Sequence, residues 1–397
     1  MMTKSFLFAL VFFVCTETMA QSKDENTFEV YGFAMIDAVY DIKTIDPNYY
    51  DVMRPTKLPS YSGQYAPEGK IYFSVRQTRF GVKSSTPTKL GNLKTQFEFE
   101  LFGAGKDVGQ TALRLRHAYG ELGMFGAGQY WSAFMDPDIS PQVLEKTGPP
   151  GVVLYRNIQF RFMPMQGNSK LTFALERPGG SADGGEYADL IELSDVTAKL
   201  SFPDFTGNYR YSGNWGYVQL GGILKSMKWV SNNPDSINIE GSVIGWGGNL
   251  SSTINISSND NLKISGVYGE GMENYMNDSS PDISAENVEG STISPVKGVA
   301  LPISAVTAFY NHKWNEKFSS TAGYSMLNIE NSNAQTSTAF KRGQYVIVNF
   351  LYFPVKNFMA GIEYQWGQRE NKGGFISTDT KIQFSVKANY SKLFSWK

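Results

Sequence analysis

The sequence predicts an all-β chain: a 16-stranded antiparallel transmembrane β-barrel over residues 21–397, with long extracellular loops and short periplasmic turns. Three observations carry that expectation. The composition is aromatic and Gly-rich without being greasy: Phe 27, Tyr 22, Trp 7 and Gly 39 in 397 residues, 18% charged, with a mean hydropathy of -0.29. Such a balance suits many strands that are each apolar on one face only, and suits helical domains poorly. Beyond residue 20 no stretch approaches the ~20 consecutive apolar residues of a membrane helix, so a membrane-spanning chain must be a closed barrel. The connections between candidate strands, finally, sort by length.

The first twenty residues read as a signal peptide. Lys4 precedes the apolar run Phe6 to Cys15, and Thr18-Met19-Ala20 ends it in a small-x-small cleavage pattern. Val14 is larger than a lipidated Cys15 normally accepts before it, so cleavage before Gln21 is the expectation. The mature chain would then hold no cysteine, as suits a bacterial envelope protein without disulfides.

Strands follow in order from period-2 alternation. Leu93, Thr95, Phe97, Phe99 and Leu101 alternate with Lys94, Gln96, Glu98 and Glu100. Phe358 to Trp366 and Ile382 to Tyr390 alternate in the same way, the latter against Gln383, Ser385, Lys387 and Asn389. Extending the pattern gives strands near 28–41, 71–83, 92–103, 111–120, 123–132, 152–163, 169–177, 194–203, 208–228, 241–256, 261–273, 302–313, 317–328, 342–353, 357–368 and 377–394. Within 208–228, Ser212-Gly213-Asn214 reads as a bulge or as a true turn, and a turn would make the count odd.

Long connections at 42–70, 133–151, 178–193, 229–240, 274–301 and 329–341 interleave with short ones at 121–122, 164–168, 204–207, 257–260, 314–316 and 354–356. One rim with loops and the other with tight turns is the outer-membrane pattern. A secreted soluble β-domain, the competing class, has no reason to sort loop lengths by parity. Tyr310, Trp314, Tyr364, Trp366, Tyr390 and Phe394 take outward parity near strand ends, where an interfacial girdle belongs.

Lys+Arg 36 against Asp+Glu 37 leaves a net charge of -1, without the field that attracts nucleic acid. His117 and His312 are the only histidines, both of outward parity, which leaves few parts for a triad or a metal site. Gly103-Ala104-Gly105-Lys106 lacks the earlier glycine and the Ser/Thr of a phosphate-binding loop. An outer-membrane barrel hydrolase is the enzyme alternative. No catalytic residue, cofactor or metal site is expected, and acidic residues in 178–193 and 274–301 fit soluble loops better than cation ligands.

Taking the apolar face as outward sends Arg79 and Lys83 on the second strand, Glu98 and Glu100 on the third, Arg114 and Arg116 on the fourth and Arg161 on the sixth into the lumen. Such guanidinium groups would replace part of an anion's hydration, or would pair with Glu98 and Glu100 and stiffen the wall. Arg76 has the opposite parity to Arg79 and stays outside this set.

Several segments resemble the DcaP-like porins. They are Val30-Tyr31-Gly32-Phe33-Ala34-Met35-Ile36-Asp37-Ala38, Gln77-Thr78-Arg79-Phe80-Gly81-Val82-Lys83, Gly91 to Glu100, Arg114-Leu115-Arg116-His117-Ala118-Tyr119-Gly120, Gly128 to Phe134, Asn214-Trp215-Gly216 and Gly361 to Asn371. The resemblance implies a trimeric 16-stranded outer-membrane channel for small, often anionic solutes such as carboxylates, surrounded by outer-membrane lipid and lipopolysaccharide. It also implies that loop 133–151, stiffened by Pro137, Pro141, Pro149 and Pro150, folds into the lumen as a constriction carrying Asp136, Asp138, Glu145 and Lys146. The chain departs from the family where it ends on Phe394-Ser395-Trp396-Lys397 instead of a terminal aromatic, and where only Gln21 to Asn26 precede the first strand, so that a trimer would be held by the barrel wall.

Overall fold

The computed structural model describes residues 25–189, 193, 196–231, 240–279, 281–290 and 296–396. The expected signal peptide lies outside them. The strands of the barrel are β1 (Asn26–Asp41), β2 (Lys70–Ser74 and Arg79–Thr88), β3 (Gly91–Phe102), β4 (Thr111–Leu122), β5 (Phe125–Trp131), β6 (Arg156–Gln166), β7 (Ser169–Glu176) and β8 (Asp204–Gly213). The second half runs β9 (Gly216–Ser231), β10 (Gly241–Asn255), β11 (Asp260–Glu270), β12 (Pro302–Lys313), β13 (Phe318–Ile329), β14 (Phe340–Tyr352), β15 (Phe358–Asn371) and β16 (Ile376–Trp396). Consecutive strands pair antiparallel, and β1 closes on β16 from Asn26↔Trp396 to Asp41↔Lys381. The fold is a closed 16-stranded barrel.

Its burial is inverted relative to a soluble protein. Ile362 and Tyr364 are 52% and 44% exposed while their neighbours Glu363 and Gln365 are fully buried, and Phe384 is exposed between the buried Gln383 and Ser385. Apolar side chains facing out and polar ones facing in make sense only with lipid outside. The largest buried apolar cluster lies where inserted loops meet the inner wall: Phe134, Met135 and Val153 pack with Met272, Tyr275, Leu301 and Ile303.

The sequence reading places one strand wrongly. Of the expected strand 194–203, the described residues 196–203 do not form a barrel strand, and the proposed turn 204–207 is the start of β8. Of that stretch only Val196–Ala198 is described as strand, a short addition to the far end of β9. Pro203 has no N–H to continue the ladder, and the chain enters β8 only after it. Asn214-Trp215 is a true two-residue turn, with Gly213 paired to Gly216. The count stays even because the misplaced strand and this turn, which the sequence offered as the alternative to a bulge, cancel.

Loop lengths keep the expected alternation. Leu122 pairs with Phe125 across a two-residue turn in which Gly123 adopts φ +58, a conformation that turn demands and glycine accepts without strain. The opposite rim carries the long connections, two of which contribute a small sheet from Ala182–Asp183, Ile283–Asn287 and Val296–Ala300.

Candidate functional site: the lumenal constriction

The connection between β5 and β6 does not leave the barrel. Asn208 and Asn249 donate to the Ala133 and Phe134 carbonyls at 2.6 and 3.2 Å. Asp136 accepts from Tyr217 at 2.8 Å and Ser251 at 2.6 Å and pairs with Arg210. Thr321 and Asn349 donate to the Gln142 carbonyl at 2.8 and 3.0 Å. The Glu363 carboxylate accepts the backbone N–H groups of Leu144 and Glu145 at 2.7 and 3.1 Å. Every one of these wall residues projects inward from β8, β9, β10, β13, β14 or β15, so the loop lies along the inner face of the barrel's second half. Polar wall residues satisfy its backbone where water otherwise would.

A strip of cations lines the first half. Glu100 of β3 pairs with Arg114 and Arg116, and lies 3.5 Å from Arg79 and 3.6 Å from Arg156. Glu98 accepts from Arg116 at 2.5 Å and Tyr31 at 3.0 Å, with Arg79 at 3.7 Å. Aromatic rings fill the intervals: Arg116 and Arg156 lie over Trp131, Arg114 over Phe102, and Arg161 over Tyr130. Arg161 donates to the Gln159 side chain at 2.6 Å and to the Trp131 carbonyl, and has no carboxylate partner among the described residues. Phe33 carries two cations, Lys387 at 3.9 Å and Arg79 at 5.3 Å from its ring centre.

The expected site residues therefore fall into three groups. Arg79, Glu98, Glu100, Arg114 and Arg116 meet in one ion-pair network. Arg161 stands beside it on β6. Lys83 is apart, half exposed and paired to Glu29 at 2.9 Å. In the loop, Asp136 and Glu145 face the wall and are buried, Asp138 is exposed but paired to Arg210, and Lys146 is exposed. Burial, with Glu363 beside it, raises the Glu145 carboxyl to about 7.

Several assignments need correction or addition. His117 is not outward: it is 2% exposed and its ring contacts Tyr130 and Trp131. The pairing of β3 with β4 jumps from Glu98↔His117 to Phe99↔Leu115, so Arg116 is the extra residue of a β-bulge that breaks strict alternation. Arg156 shares the outward parity of Ile158, yet it opens β6 beside the inserted loop and reaches Glu100. Lys387 was legible on the hydrophilic face of its strand but carried no mark of its importance, and Arg210 is tied to the loop. Arg76, at the break within β2, is buried against Asp51.

The sequence matches the DcaP outer membrane protein family model over residues 15–390. The chain belongs to this family. The crystal structure of the outer membrane channel DcaP of Acinetobacter baumannii is 21% identical, covering 94% of this chain and 99% of that one, with a TM-score of 0.74. OmpT, an outer membrane protein of Vibrio cholerae, is 14% identical over 93% and 99% with a TM-score of 0.55. The anion-selective porin from Comamonas acidovorans is 10% identical over 92% and 100% with a TM-score of 0.58. At such identities these structures establish a common porin fold. No curated protein matches the sequence. As a member of this family it is an outer membrane protein with the porin fold.

Proposed function

We propose that this DcaP family channel passes small hydrophilic solutes passively and favours anions such as small carboxylates. Its working form in this reading is a homotrimer, with outer-membrane lipid and lipopolysaccharide against its exposed apolar faces. One observation carries the preference: Arg79, Arg114, Arg116, Arg156, Arg161 and Lys387 line one side of the lumen against the two carboxylates of Glu98 and Glu100. The excess positive charge lowers the entry barrier for an anion, while the inserted loop brings solutes close to the wall. A guanidinium in a partly desolvated pore attracts an anion by about 1–2 kcal/mol after solvation is discounted. Two similar structures, those of an outer membrane channel and of an anion-selective porin, accord with this reading.

Reversal potentials of the purified full-length protein in a planar bilayer under a salt gradient test it. Anion preference is expected, and Arg161→Gln should shift the potential toward cations with assembly intact. Preference for cations in the wild type would overturn the proposal.

A further inference from the structure

The basic residues of the lumen differ in how much of their charge is already spent. Arg116 is 7% exposed, wedged between Glu98 and Glu100, and over Trp131. Arg114 is held by Glu100. An anion approaching either must compete with a fixed carboxylate already in contact, so little attraction remains for a passing solute.

Arg161 lacks a carboxylate partner, but its guanidinium is taken up by Gln159 and the Trp131 carbonyl, whereas two lysines have no such polar partner among the described residues. Lys387, on β16, has no carboxylate or hydrogen-bond partner among the described residues, and its ammonium rests on Phe33. A ring quadrupole steadies a cation without cancelling its charge, so the field of Lys387 reaches the lumen undiminished. Lys146 stands on the inserted loop, exposed to lumenal water and without an ion pair or hydrogen bond among the described residues. Its base is fixed on both sides: Glu145 N–H is held by Glu363 at 3.1 Å, and the Thr147 carbonyl accepts from Asn277 at 2.6 Å. Leu144, two residues before it, packs with Met359, the β15 partner of Lys387, and Phe33 packs against the same cluster, so the loop lysine stands close to the cationic strip; enclosure by the barrel, then the like charges of Lys387, Arg79, Arg116 and Lys263, act on its ammonium.

Resting on the anion-preferring reading, we infer that Lys146 on the inserted loop and Lys387 on the wall are the specificity-determining cations of the pore, and that Arg114 and Arg116 are its scaffold. The chemistry of recognition follows from the ammonium group. It is a compact, strongly hydrated point charge without the planar fork that a guanidinium offers a carboxylate or phosphate. The gate therefore sorts solutes by charge and discriminates little among small anions of equal charge, so that chloride and acetate pass in proportion to their size and mobility.

The test compares full-length wild type, Lys146→Gln, Lys387→Gln, the double variant and the charge-conserving pair Lys146→Arg with Lys387→Arg, each recorded in bilayers under gradients of potassium chloride and of potassium acetate. Each single lysine loss should reduce the anion-to-cation permeability ratio roughly threefold and the double loss about tenfold, whereas the arginine pair keeps the ratio but favours acetate over chloride. A double glutamine variant that retains the wild-type ratio overturns the inference and leaves the anion-preferring reading standing. A wild type without anion preference removes that reading itself. Should the double glutamine variant not assemble, the single variants and the arginine pair decide: unchanged ratios in both singles, or an arginine pair with unchanged discrimination between acetate and chloride, overturn the inference.

Discussion

Arg116 shows how one residue can serve two ends. Its guanidinium joins Glu98 to Glu100, neighbours on the same face of β3, and its backbone forms the bulge that also turns His117 inward. Arg116→Gln would leave two buried carboxylates short of a partner, and removing one member of a buried pair costs about 3–5 kcal/mol. Reduced trimer yield and a lower melting temperature in detergent are therefore expected, with a smaller change of selectivity than from loss of Lys146 or Lys387; normal yield with lost selectivity would contradict this division of labour. Lys146 gives a pH prediction. Enclosure and its cationic surroundings lower the ammonium to about 8, so it carries its charge below that value and loses it above. Anion preference should fall as pH rises through about 8, measured by reversal potential, and Lys146→Gln should weaken that dependence. Strand parity made Arg79, Arg114, Arg161 and Lys387 legible as inward residues. What parity could not convey was which of them would meet a carboxylate, since that depends on register between strands and on rotamers.

Among the elements, the inserted loop carries the prediction for conductance. Its backbone is held by side chains of the wall, while the barrel's own ladder closes through strand pairing without it. Deleting most of 136–148 should raise single-channel conductance with assembly preserved; unchanged conductance in an assembled variant would place the loop's obstruction elsewhere. Glu145 adds a second handle. Its carboxyl, raised to about 7 beside Glu363, is neutral at lower pH and ionises as pH climbs through that value, which weakens docking because the buried charge is disfavoured. Current noise from loop motion should thus grow from pH 6 to pH 8 in the wild type and stay low in Glu145→Gln. Most strands were legible because lipid on one side and water on the other impose alternation. The bulge at Arg116 and the entry into β8 were not: a bulge is fixed by the partner strand, and Val196 to Phe202 alternates as convincingly as the true strand that begins after Pro203.

For the whole molecule, the decisive feature is polarity turned inside out. Ile362, Phe384, Phe160 and Leu220 are all about half exposed or more, while carboxylates and amides fill the interior. Such a surface requires lipid, so the mature protein should fractionate with outer membranes, give a β-rich circular dichroism spectrum and migrate differently before and after boiling; recovery as a soluble monomer would be incompatible with the barrel's exposed apolar band. The central claim, that this interior is a conduit selecting for negative charge, is tested most directly by the reversal potential of single purified channels across a tenfold potassium chloride gradient at neutral pH. The account predicts a potential displaced toward the chloride equilibrium value and moved back by removal of the lumenal lysines; a potential displaced toward potassium would contradict it.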